Sequence, residues 1–149
     1  MKYAFVAAAV FAGDFFLKKH MEEREFQEGK ELLWGRVVLK KYHNKGAAMN
    51  FLEKKPATVK RACGALLLVL GIFWWILLRR KANPCILLGL SLVLGGGANN
   101  FYDRVKRGYV VDYFSFRTPI KRLNRIIFNI SDLCIFLGAL LFAAFGKEL

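Results

Sequence analysis

Residues 62–78 read Ala-Cys-Gly-Ala-Leu-Leu-Leu-Val-Leu-Gly-Ile-Phe-Trp-Trp-Ile-Leu-Leu, a run without a single charge. That length is close to the roughly 20 apolar residues a helix needs to cross a bilayer. Trp74 and Trp75 near one end suit the membrane–water interface. Outward from this run, three more apolar stretches of similar length appear, over about 3–18, 85–103 and 126–145. The chain has 149 residues, 56% of them hydrophobic, gathered in runs rather than alternating. That patterning excludes an ordinary soluble domain. The expectation is a membrane all-α protein whose residues 1–149 form a single integral membrane domain with four transmembrane helices.

The first stretch has the charge, apolar core and small residues of a secretory leader. Asp14 and the continuation Phe15-Phe16-Leu17 favour a retained helix instead. Residues 79–83 make a tight turn between the second and third spans, while 20–60 and 103–125 are long connections. Within them Trp34–Tyr42 and residues 109–117 have the β-branched and aromatic content of strands. Val110, Asp112, Phe114 and Phe116 share one side of a period-two pattern. A small sheet on the membrane surface, with amphipathic cover from Met21–Leu33, and a pair of irregular loops are equally compatible with this pattern.

The net charge of +13 sits between the spans, where it meets lipid headgroups; no nucleic-acid-binding module is visible. The short turn is cationic, but the long connections carry more Lys and Arg, so charge alone leaves the orientation undecided. Cys63, Cys85 and Cys134 lie inside apolar runs without metal-type spacing, and His20 and His43 are far apart. No metal or cofactor is implied.

The chemistry is carried by acids in the wrong place. Asp112 lies in Val110-Val111-Asp112-Tyr113-Phe114, and Asp132 in Phe128-Asn129-Ile130-Ser131-Asp132 before a long apolar tail. A carboxylate within hydrocarbon costs about 2.5–3.5 kcal/mol on insertion scales, so each is a functional candidate. Two in one dry site would share a proton, as in an aspartic peptidase. Asp132 could be a helix cap. With the apolar pattern starting at Ile126, it stands nearly two turns inside a helix instead.

Asp14 and Lys18, spaced i,i+4, read first as a self-neutralising pair. Asn44 and Gly46 read first as a turn. Gly95–Gly97 read as a helix-packing surface. Asn100 and Asp103 share a helix face and can bond a neighbouring loop, with Arg104 beside them. On the residues alone, a proton-coupled exporter titrating Asp14 and a non-catalytic scaffold stay open.

The ordered set Asp14-x-x-x-Lys18, Asn44-x-Gly46-Ala47-Ala48, Asn100-x-x-Asp103-Arg104, Val110-Val111-Asp112-Tyr113 and Phe128-Asn129-x-x-Asp132 resembles that of the lipoprotein signal peptidases, or signal peptidase II. The resemblance covers almost the whole chain. It implies an aspartic endopeptidase of the bacterial cytoplasmic membrane that removes the signal peptide from diacylglyceryl-modified prolipoproteins, cutting before the lipidated cysteine. It implies Asp112 and Asp132 as the catalytic pair. Asn44, Gly46, Asn100, Asp103, Arg104 and Asn129 would bind substrate or shape the site, and Asp14 and Lys18 would support the first helix. It further implies an extracytoplasmic β-rich cradle and loop, with the active site on that side. Lipidated precursors and membrane lipids would be the partners of a monomer. This chain departs from the pattern at Met49-Asn50, at Asn99 in place of a usual Gly, and at Ser131 in place of a usual Ala.

Overall fold

The runs and connections fold, in a computed structural model that describes residues 1–23, 29–47 and 52–148, into a helical bundle with one small sheet. Helix α1 is Lys2–Glu23, α2 Pro56–Arg79, α3 Pro84–Lys106 and α4 Ile130–Phe145. Strands β1 (Lys30–Leu32), β2 (Val37–Asn44) and β3 (Val110–Phe116) pair antiparallel in that order. Both long connections therefore contribute to one sheet, and the choice between sheet and loops falls to the sheet. Ala48, Met49, Asn50 and part of the expected Met21–Leu33 cover lie outside the described residues.

Two of the helices, α2 and α3, are long and apolar enough to cross a membrane; α4 is apolar but shorter, at 16 residues. Solvation separates α2 from α3. Only 6% of the most apolar window of α2 is buried, against 50% in α3. Leu68 and Phe136 are 66% and 65% exposed, whereas Asp14, Lys18, Asn99 and Asn129 are 0% exposed. Apolar outside and ionic inside is the reverse of a water-soluble bundle, and it suits a surface solvated by lipid.

Helix α3 is the centre because it carries three successive glycines. Neighbours on a helix point about 100° apart, so three in a row face three directions. A Cβ at Gly95 would stand 2.5 Å from Ala7 O of α1, and one at Gly96 2.6 Å from Ser131 O of α4. One at Gly97 would meet the Leu67 side chain of α2 at 2.8 Å. Bare backbone lets all three helices close on α3, the packing surface expected from the sequence. The turn at 80–83 ends on Asn83, whose side chain caps α3 through Cys85 N at 2.8 Å. Trp74 is not simply an interface anchor: its indole donates to Ser91 Oγ of α3 at 2.9 Å, while Trp75 stays exposed. The three cysteines are free.

Two expected boundaries move. The strand begins at Val37, not Trp34, because Leu33, Trp34 and Gly35 have φ of +52°, +55° and +78° and form the turn between β1 and β2. The last helix begins at Ile130, not Ile126. Residue 126 is extended and Phe128 pairs with Phe114 of β3, so the apolarity of Ile126-Ile127-Phe128 serves the sheet and a cavity rather than a span.

Candidate active site

Asn129 is where the chain turns from strand pairing into α4, and its side chain decides what meets what. Its Oδ1 accepts from Asp132 N at 2.9 Å, while Asp132 Oδ2 accepts from Asn129 N at 3.1 Å, a reciprocal capping box. Asp132 is thus the third residue of the helix, which corrects the expected depth of nearly two turns. The capping and functional readings are not exclusive, since one oxygen closes the cap and the other is turned to α3. The Asn129 amide also donates to Asp112 Oδ1 at 2.7 Å. One asparagine holds both carboxyl groups.

Each carboxyl has a second asparagine of its own. Asn44 Nδ2 donates to Asp112 Oδ2 at 3.2 Å, across the register that pairs Tyr42 with Asp112. Asn100 Nδ2 donates to Asp132 Oδ1 at 2.9 Å. All four carboxyl oxygens therefore have a donor, and both groups line one cavity of about 430 Å³ with Ile126, Ile135 and Phe136. Asn44 also makes its turn, accepting from Gly46 N at 3.1 Å. Gly46 O in turn accepts from Arg104 at 2.9 Å, and Arg104 reaches Asn100 O at 3.1 Å. Among the described residues, Arg104 Nε is buried without a hydrogen-bond partner.

Burial, and then the charge of Asp132, push the Asp112 carboxyl up from 3.8 to about 7. The two amide donors favour the ionised form but are outweighed, because desolvation acts on the whole charge. Asp112 is therefore partly protonated near neutral pH, the state in which a carboxyl can donate a hydrogen bond.

Behind this layer lies a second one. Lys18 Nζ is 3.2 Å from Asp14 Oδ2 and 3.0 Å from Asp103 Oδ2, and it donates to Asn99 Oδ1 at 2.8 Å and Asn100 Oδ1 at 2.7 Å. Lysine has no acceptor, so it fixes the Asn100 oxygen inward and the amide outward toward Asp132. Asp14 does more than neutralise Lys18. It accepts from Tyr113 Oη at 2.6 Å and from Ser131 Oγ at 2.5 Å, the neighbours of Asp112 and Asp132. Asp103 accepts from Val111 N at 3.3 Å, the loop bond its helix face allows, and Arg107 flanks it at 3.2 Å.

Every site residue expected from the sequence is in this network. Sequence reasoning missed Tyr113 and gave Asn99 and Ser131 no role. Asn99 also donates to Phe11 O at 2.7 Å, so the departures at Asn99 and Ser131 both contact the Asp14–Lys18 pair. The available signal was adjacency: each precedes or follows a singled-out acid or amide.

A family model described as Signal peptidase (SPase) II matches residues 6–146. The lipoprotein signal peptidase of Halalkalibacterium halodurans is 34% identical over 146 residues, 94% of this chain and 89% of that protein. Those of Alteromonas mediterranea and Streptococcus pneumoniae are 34% and 32% identical, over 66% and 70% of this chain. The match spans only 54% and 65% of those two proteins' own lengths. A solved bacterial membrane enzyme superposes with a TM-score of 0.80 at 23% identity, covering 99% of this chain and 88% of that one. A second gives 0.76 at 24%, covering 96% and 90%.

Proposed function

The chain belongs to the signal peptidase II family, and on that premise we propose that it is an aspartic endopeptidase that removes the signal peptide from diacylglyceryl-modified prolipoproteins. Cleavage falls immediately before the lipidated cysteine. The observation that carries this reading is Asn129 bonded to both Asp112 and Asp132 at the edge of one apolar cavity.

Asp112 and Asp132 are the catalytic pair. One carboxyl, ionised, takes a proton from a water as its oxygen attacks the scissile carbonyl; the other, protonated, donates to the carbonyl oxygen. Collapse of the tetrahedral species with proton transfer to the amine breaks the C–N bond. Asn44, Asn100 and Asn129 orient the carboxyl groups, Gly46 and Arg104 hold the turn beside them, and Asp103, Asp14 and Lys18 support the frame. The apolar wall of Ile126, Ile135 and Phe136 takes the signal segment and acyl chains. No step in this scheme requires a cofactor.

All four helices are spans in this reading, α4 reaching the interface through its capped start. The protein sits as one multi-pass domain in the bacterial cytoplasmic membrane, a monomer with the sheet and the active site on the extracytoplasmic side. Asp112→Asn and Asp132→Asn are each expected to abolish cleavage of a diacylglyceryl-modified reporter by reconstituted protein while leaving it folded in the membrane. Retained cleavage in either variant removes the pair from the mechanism. The exporter reading loses its motive, because Asp14 is fully buried and bonded to Lys18, Tyr113 and Ser131.

A further inference from the structure

A second cavity, of about 440 Å³, opens on Asp112 and shares Asn44, Ile126 and Ile127 with the first. Its remaining walls among the described residues are Tyr42, Arg122 and Arg125. No residue of the four long helices lines it, whereas the first cavity takes Ile135, Phe136 and Ala139 from α4. The two cavities meet at Asp112 and differ in their walls: Asn100, Arg104 and α4 complete the first, while the sheet and two arginines of the 117–129 segment complete the second. Arg122 caps the start of the short 3-10 helix Leu123–Arg125 and Arg125 ends it, and the three-residue turn places them on one side. Both are exposed, and neither has an acidic partner among the described residues. Elsewhere in the same connection Arg117 is paired with Glu31 at 2.7 Å.

We propose that this cavity is the subsite for the mature side of the substrate, and that Arg122 and Arg125 there recognise a carboxylate in the first residues after the lipidated cysteine. The inference rests on the peptidase reading above. A peptide crossing Asp112 with its apolar segment along α4 must leave on the other side, and the other side is this cavity. Two guanidinium groups without acidic partners among the described residues are forked donors matched to a carboxylate. A peptide acid is favoured over a lipid phosphate because no spanning helix borders the cavity.

The test uses the full chain in zwitterionic nanodiscs and three diacylglyceryl-modified reporters. They differ only in carrying Asp, Ser or Lys at the second and third positions after the lipidated cysteine. Wild-type kcat/KM is expected to favour Asp over Lys by about tenfold, chiefly through KM. In R122Q/R125Q that ratio should collapse to near one, while in K121Q it should persist. Equal handling of Asp and Lys by wild type, or an unchanged ratio in R122Q/R125Q, overturns the subsite. A uniform loss on all reporters that scales with added anionic lipid assigns the arginines to headgroups and overturns it as well. Failure of wild type to cut any reporter, the Ser form included, instead overturns the peptidase reading on which the subsite depends.

Discussion

Lys18→Met removes the single cation that faces four oxygens at the centre of the bundle. The three N–H bonds of Lys18 serve Asp14, Asp103, Asn99 and Asn100 at 2.7–3.2 Å, and all four partners are buried. Asp14 would keep Tyr113 and Ser131, and Asp103 would keep Arg107 and Val111 N. Asp14 would nonetheless lose its direct counter-charge in a dry site, whereas Asp103 would retain one. Breaking a buried ion pair from one side costs about 3–5 kcal/mol, roughly two to four powers of ten in the folding constant. Unfolding by SDS titration in mixed micelles, followed by tryptophan fluorescence, measures that loss directly. Because the uncompensated charge is the cause, Asp14→Asn in the Lys18→Met background should recover about 1–2 kcal/mol. Processing at a temperature where the variant is still folded should fall too, since the Asn100 amide is no longer held toward Asp132. A stability loss below about 1 kcal/mol, or no recovery on adding Asp14→Asn, would refute the reasoning.

The raised Asp112 carboxyl sets a pH dependence. The folded chain holds a proton that the unfolded chain releases between pH 3.8 and about 7, so stability from this group falls as pH rises through that window and is flat above it. Cleavage of a lipidated reporter should decline as pH rises through about 7, and activity constant to pH 9 would contradict a shared proton. Asp112→Asn should melt higher than wild type at pH 8 and nearly level with it at pH 4. Gly96→Val forces a side chain against Ser131 O, where the Cβ alone would stand at 2.6 Å, and the overpacking should cost about 1–3 kcal/mol. Because Ser131 adjoins Asp132, processing should fall with it. Gly71→Ala, with nothing within 4 Å of the new Cβ, should melt like wild type.

Much of this was legible along the chain. Apolar runs without charge locate the helices because hydrocarbon tolerates no unpaired backbone or ion, whatever the neighbours are. Gly95-Gly96-Gly97 announced a packing surface for the same local reason, and β-branched and aromatic content found two of the three strands. Where local signals competed, position slipped. Ile126-Ile127-Phe128 is as apolar as the helix it precedes, so hydropathy could not show that Asn129 starts the helix by capping it. Leu33 and Trp34 have strand-like side chains but left-handed backbones, because the pairing of Leu32 with Val37 demands a turn there.

The acids and amides were visible one by one, and their costliness in a membrane follows from residue type alone. Their partnerships do not. Lys18 and Asn100 stand 82 residues apart, and Asp14 and Ser131 117, yet each pair is in hydrogen-bond contact. Such contacts exist only because α1 and α4 close on the bare backbone of α3. The sequence by itself therefore determined which segments seek lipid and which residues must be satisfied. The tertiary structure alone decided that Asn129 holds both carboxyl groups and that Lys18 orients Asn100, because hydrogen bonds depend on direction and distance that no spacing along the chain encodes.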